Sequence, residues 1–347
     1  MAAAKTRAPT YRRLGRSGLL VSPLCLGTMM FGLRTDQRAA AKIVDSARAA
    51  GVNFIDTADQ YAYGKSEEIV GRCVKRDRDR WVLATKVATV WEQAPNRSGL
   101  SRKWILEQLD ASLKRLGTDY VDLYYFHRDD QDTPIEESLL AVDAAIRAGK
   151  VRYLALSNYR GYRIAEVALA CDRLGMARPV ALQPYYNAMN RLPEVEELPA
   201  AARFGLGIVP YSPLARGVLT GKYEWGKKPS KETRVGRDDP RILATEWRKE
   251  SVEIAETIKR HAERRGTTAI AFAVNWVLNN ALVSSVICGP RTIEQWRAYL
   301  AALDHRFTAE DEALMDRLVK PGHPSTPGYT DPNYPPTGRP PIIAGRA

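Results

Sequence analysis

A chain of 347 residues can hold one large α/β domain or two modest ones, and it buries a sizeable core without disulfide staples. A composition that is 45% hydrophobic and 27% charged is that of an ordinary globular protein, and no run approaches the ~20 apolar residues of a membrane span. The net charge of +12 is dispersed in mixed runs such as the KRDRDR at residues 75–80, which predicts solvated helix faces rather than a nucleic-acid or membrane surface, although it favours a phosphate-rich ligand.

The first 13 residues carry basic groups but no apolar centre, so no secretory signal is expected. Four cysteines, Cys25, Cys73, Cys171 and Cys288, are scattered without a CxxC pair, which predicts free thiols in the reducing cytoplasm. None of His127, His261, His305 and His323 stands at HxxxH spacing from another, so no metal is expected.

In chain order, β-branched and aromatic runs occur at residues 23–27, 52–55, 81–85, 121–126, 151–156, 180–182, 207–210 and 283–288. Helical periodicity lies between them, for example at 36–49, 66–75, 101–116, 135–148 and 162–173. At 102–116 it brings Trp104, Ile105, Leu109, Ser112, Leu113 and Leu116 onto one face. Eight strand–helix units in about 300 residues predict a closed (β/α)8 barrel over 11–319 rather than an open sheet. An open dinucleotide-binding sheet wants G-x-G-x-x-G after a strand, and no such string occurs. The stretch from Gly217 to Lys222 is no phosphate loop either, because Tyr223 stands where Ser or Thr is needed. Residues 212–241 form a long loop after the seventh strand. The tail at 320–347 is dense in Pro and Gly and predicted irregular, as a lid, an oligomerisation arm or a partly disordered end.

In a parallel barrel, ligands gather at the C-terminal ends of the strands. Those ends read Thr28, Asp56, Lys86, His127, Ser157-Asn158, Gln183, Tyr211 and Gly289. Singly, Asp56 reads equally well as a helix cap, Lys86 as a surface residue, His127 as a barrel-mouth histidine and Tyr61 as packing. Together they form an acid-catalytic group. Lys86 is expected to lower the Tyr61 pKa, Asp56 to partner Lys86, and His127 to orient a carbonyl.

These residues carry a resemblance. The segment GVNFIDTADQYAYGKSE at 51–67, with ATK at 84–86 and YYFHRD at 124–129, resembles the signature of the aldo-keto reductases, and the likeness runs from 11 to about 319. It implies NADPH-dependent reduction of an aldehyde or ketone in the cytoplasm, with NADH less favoured, by a monomer or homo-oligomer. Asp56, Tyr61, Lys86 and His127 match the catalytic tetrad, with Tyr61 as acid. Ser157, Asn158 and Gln183 match positions that hold the nicotinamide carboxamide, and Tyr211 the aromatic stacked on its ring; Gly27 and Thr28 lie at the same mouth. Ser212, Leu214, Gly217 and Lys222 resemble the pyrophosphate loop. Gly289, Arg291 and Gln295 suit the adenosine end, with Arg291 on the 2′-phosphate and Thr292 and Gln295 as a capping box. Tyr299 stands where the family string has Asn, which implies an altered adenine contact.

For the substrate, Met29, Phe31, Tyr63, Trp91 and Arg128 are expected around the carbonyl, with Trp91 as an aromatic wall and 321–336 at the rim. Sugar-like, bulky or xenobiotic ketones, such as mycotoxin-derived ones, are candidate substrates. Two other readings remain. One is a nucleotide sensor similar to potassium-channel beta subunits, with little turnover. The other makes Lys86 a Schiff-base lysine, which a neighbouring Asp56 disfavours by keeping it protonated.

Overall fold

The computed structural model describes residues 10–335. In chain order the elements are β1 (Arg12–Arg13), β2 (Leu20–Val21), β3 (Leu24–Gly27), α1 (Gln37–Ala49), β4 (Phe54–Asp56), α2 (Lys65–Val74), β5 (Val82–Val87), α3 (Arg102–Leu116), β6 (Val121–Phe126), α4 (Ile135–Arg147) and β7 (Val151–Ser157). They continue as α5 (Gly161–Leu174), β8 (Ala181–Gln183), α6 (Glu197–Phe204), β9 (Gly207–Ile208), α7 (Pro240–Thr245), α8 (Lys249–Arg264), α9 (Ala269–Asn279), β10 (Val286–Cys288), α10 (Ile293–Ala302) and α11 (Ala309–Leu318).

Eight parallel strands run in the order β10-β3-β4-β5-β6-β7-β8-β9. The sheet closes on itself. Ser284 N–H donates to the Ile208 carbonyl at 2.8 Å, and Ile287 N–H to that of Pro210 at 2.9 Å. The fold is therefore the predicted (β/α)8 barrel. The antiparallel pair β1–β2, which sequence pattern did not single out, precedes it, and Arg12 ties this hairpin to the Val283 carbonyl at 2.9 Å. The last strand starts three residues later than its apolar run because residues 283–285 bond to β9 and to the end of β2 instead.

Strand alternation explains two separate cores. Leu24, Leu26, Ile55, Leu83, Val87, Tyr124 and Phe126 face the helix layer. Cys25, Phe54, Val82, Ala84, Leu123, Tyr125, Ala155, Ala181, Val209 and Ile287 fill the barrel interior. Helices supply the complementary stripe. On α3, capped by Ser101, whose hydroxyl accepts from Trp104 N–H at 3.3 Å, the predicted face from Trp104 to Leu116 is buried. Burying each such large apolar side chain stabilises the fold by about 1.5–3 kcal/mol. Gly71 lets α2 approach α3 closely, since a Cβ there would lie 2.2 Å from the Leu116 carbonyl oxygen.

The long loop is ordered into tight turns at Ala215–Thr220 and Val235–Arg237. The described part of the tail is irregular, as expected, but docked. Arg248 lies 3.7 Å from the Tyr329 ring centroid and donates to Thr326, and Asp331 pairs with Arg241 at the start of α7. Residues 336–347 of the predicted tail lie outside the described residues.

Candidate active site

The interior phase of the strands, continued to their C-terminal ends, turns from apolar to polar. Two residues beyond Cys25, Phe54, Ala84, Tyr125, Ala155, Ala181, Val209 and Ile287 stand Gly27, Asp56, Lys86, His127, Ser157, Gln183, Tyr211 and Gly289. The apolar layers below exclude water, and the polar layer opens into a cavity of about 500 Å³.

Lys86 is fully buried at its floor. Its ammonium donates to Asp56 Oδ1 at 2.5 Å, to the Thr57 carbonyl at 2.6 Å and to the Tyr61 hydroxyl at 3.3 Å. Gln183 Nε2 donates to the other Asp56 oxygen at 3.0 Å, so both oxygens of the buried carboxylate are engaged. Burial pushes the Lys86 pKa down, but Asp56 and Tyr61 more than restore it, so the ammonium stays charged. Burial raises the Asp56 pKa, and Lys86 and Gln183 oppose that rise.

The Tyr61 hydroxyl corrects one expectation. Its pKa is raised, not lowered, because burial outweighs the Lys86 charge. The phenol is thus fully protonated near neutral pH, and Lys86 stabilises the phenolate that a proton transfer would leave. His127 packs edge-on to the Tyr61 ring at 5.9 Å. Burial, Lys86 and Arg128 push its pKa well down, so its ring is neutral, and Nδ1 has no partner among the described residues. A protonated phenol, a neutral imidazole and a buried ammonium meet at one point, which is what polarising and protonating a carbonyl oxygen requires.

Asp59, three residues past Asp56, is a buried carboxyl of another kind. Its Oδ1 accepts from Gln60 N–H at 2.7 Å, and its Oδ2 has no partner among the described residues. Burial, with Glu67 adding to it, raises its pKa from 3.8 to about 8. Between those values the native state holds a proton that the unfolded chain has lost, so stability falls as pH rises through the window. Asp59→Asn removes that loss. Denaturant unfolding between about pH 5 and pH 8 is expected to show the variant gaining on wild type by up to about 1.4 kcal/mol per pH unit. A pH-independent difference would mean that Asp59 is ionised throughout.

Most expected ligand positions line the cavity. Gly27, Thr28, Met29, Arg128, Asn158 and Gln183 surround the catalytic end, with Tyr211, Ser212 and Leu214 beyond them. Two hydroxyls are committed inward. Thr28 Oγ1 donates to the Asp56 carbonyl at 2.9 Å, and Ser157 Oγ donates to the Gln183 carbonyl at 2.9 Å while accepting from Asn158 Nδ2 at 3.0 Å. Ser157 therefore positions Asn158 rather than facing the cavity. Tyr211 donates from its hydroxyl to Asn158 Oδ1 at 2.9 Å and stacks on Tyr185 at 5.6 Å, which fixes a flat aromatic wall.

Gly217, Lys222, Gly289, Arg291, Gln295 and Tyr299 line the far end. Gly217 sits at φ 103°, and a Cβ there would meet the Lys222 ammonium at 3.0 Å, so the turn needs glycine to pass under that cation. The capping box forms in part. Thr292 caps Gln295 N–H at 3.3 Å, but Gln295 Oε1 accepts from Arg291 N–H at 2.8 Å rather than from Thr292. Arg234 and Arg237, which sequence reasoning left unnamed, join this end from the long loop. Burial and the neighbouring arginines Arg291, Arg234 and Arg237 lower the Lys222 pKa, and burial with Arg237, Arg34 and Arg234 lowers that of Arg291. Cations crowded so closely depress one another until an anion binds.

Three substrate expectations fail. Trp91 is absent from the cavity lining; its ring lies 5.0 Å from the Arg115 guanidinium and packs on the outer core. Phe31 is fully buried in that core, and Tyr63 points to solvent at 76% exposure. Asn333 and Tyr334 of the tail take the place expected of them and line the cavity. Among the described residues there is no group of side chains able to hold a metal ion, and no helix is long and apolar enough to cross a membrane.

A barrel whose mouth carries this buried Asp–Lys pair beside a tyrosine and a histidine matches the profile of the aldo/keto reductase family over residues 23–320, and the chain belongs to that family. It is 40% identical over 301 residues to a probable voltage-gated potassium channel subunit beta of Arabidopsis thaliana, covering 85% of this chain and 91% of that one. It is 36% identical over 331 residues to the uncharacterized oxidoreductase YrpG of Bacillus subtilis, covering 92% and 99%. A probable voltage-gated potassium channel subunit beta of Oryza sativa is 39% identical over 302 residues, covering 85% and 91%.

Proposed function

We propose that this protein reduces an aldehyde or ketone to an alcohol with NADPH, using Tyr61 as the proton donor. The observation that carries the reading is the Tyr61 hydroxyl beside the charged Lys86 ammonium at 3.3 Å, with the neutral His127 ring facing it. Bound nicotinamide supplies the hydride. The chain's own residues do the rest. His127 donates a hydrogen bond to the carbonyl oxygen and draws it toward Tyr61, and Tyr61 gives that oxygen its proton. Lys86 stabilises the phenolate left behind, and Asp56 keeps Lys86 charged.

The cavity suits the dinucleotide on its own chemistry. Tyr211 offers a flat face, and Asn158 and Gln183 offer amides at the catalytic end. Lys222, Arg237 and Arg291 have no carboxylate partner among the described residues, which suits a pyrophosphate and a 2′-phosphate. Arg291→Ala is expected to weaken NADPH about 10- to 100-fold and NADH far less, measured by fluorescence titration. Equal losses for both would show that Arg291 has another task.

The likeness to proteins named as potassium channel subunits favours a second reading, a nucleotide-binding regulatory subunit with little turnover. Assaying NADPH oxidation against a panel of aldehydes, ketones and quinones decides between them. Turnover supports the reductase; tight NADPH binding with every carbonyl inert supports the regulatory subunit.

A further inference from the structure

Resting on the reductase reading, we infer that the substrate carries a carboxylate close to its carbonyl group and that Arg128 binds it. The catalytic end of the cavity is polar. Around Tyr61 and His127 it is lined by Gln60, Thr89, Arg128, Asn333 and Tyr334, with Met29 as an aliphatic wall. A lining of this kind gives up water at a cost that a polar or charged ligand group repays and an apolar one does not.

Arg128 is the only cation at this end without a carboxylate partner among the described residues. The two carboxylates next to it in the chain are taken. Asp129 is held by Arg163 through three hydrogen bonds of 2.9–3.1 Å, and Asp130 accepts from Leu100 N–H at 2.7 Å and from the Thr133 hydroxyl at 2.8 Å. Asp331 of the tail is paired with Arg241, and Asp56 with Lys86. Asp129, Asp130, Asp331 and Asp56 are therefore each committed to another group.

The position of Arg128 separates it from the phosphate-binding cations. It follows His127 just past β6, and its charge helps to lower the His127 pKa, whereas Lys222, Arg234 and Arg237 come from the 212–241 loop and Arg291 from the turn before α10. Tyr334 is itself fixed by its carbonyl, which accepts from Arg160 Nη2 at 2.7 Å, and it lines the same cavity as Arg128. A planar guanidinium in a half-enclosed pocket, next in sequence to the histidine that receives the carbonyl, recognises a carboxylate through paired hydrogen bonds. The tail thereby takes part in substrate selection, because Tyr334 shares the pocket with Arg128.

The test compares 2-, 3- and 4-carboxybenzaldehyde with their methyl esters at saturating NADPH, in wild type, Arg128→Gln and Arg128→Lys. The expected result is a kcat/KM for at least one acid about tenfold or more above its ester, carried mainly in KM. That ratio falls toward one in Arg128→Gln and is retained in part by Arg128→Lys. Esters reduced as well as acids at all three ring positions, with ratios that Arg128→Gln leaves unchanged, would overturn the inference while leaving the reductase standing. If neither acids nor esters react, the wider carbonyl panel decides the reductase reading. The anion site is then read by calorimetry on the NADP complex, with benzoate against benzamide. Benzoate binding that Arg128→Gln removes supports the site, and equal binding of the two overturns it.

Discussion

Tyr61→Phe is expected to lower kcat for carbonyl reduction by about 10²–10⁴-fold while leaving NADPH affinity within about twofold. The substitution removes one oxygen and keeps the ring, so the edge-on packing against His127 and the cavity shape survive. Only the hydrogen bond from Lys86, long at 3.3 Å, is lost from the floor, and the ammonium keeps its bonds to Asp56 and Thr57. The loss should therefore fall on kcat and kcat/KM together, the signature of an interaction made in the transition state. Steady-state kinetics beside a binding titration checks this, and full activity in the variant would remove Tyr61 from the mechanism.

Lys86→Met should have the largest effect on the fold. It strands the Asp56 carboxylate, whose side chain is 2% exposed, with Gln183 as its one remaining donor. Breaking a buried pair from one side costs about 3–5 kcal/mol, because the surviving charge has neither water nor counter-ion. Pairing the change with Asp56→Asn removes the stranded charge, and the double variant should recover much of the stability that Lys86→Met loses. Thermal or denaturant unfolding of the three variants measures this. Additive losses in the double variant would show that the pair is not electrostatically coupled. Activity should be lost in all three, since Lys86 also stabilises the phenolate of Tyr61.

The barrel and its polar mouth were legible because strand alternation is strict. Once Phe54 and Ala84 are read as interior, Asp56 and Lys86 two residues on must share that interior, and a buried acid facing a buried base is a site. Direction of charge effects was less legible. The Tyr61 pKa rises because burial exceeds the Lys86 attraction, and burial depth is a property of the assembled barrel. Loop side chains were the least legible. Trp91 looked like a pocket wall, but its loop turns it onto Arg115. Arg234, Arg237 and Tyr334 reach the cavity only because a long loop and the tail fold back across the mouth. The density of Arg and Lys between 212 and 241 was the one available signal for the first two. For Tyr334 the signal was an aromatic within a Pro-rich tail, which composition does not orient.

NADPH oxidation by the wild-type protein, followed together with alcohol formation across a panel of aldehydes, ketones and quinones, tests the account most directly. One alcohol formed per NADPH consumed is expected on at least one member. Tight NADPH binding with no alcohol from any member would contradict it.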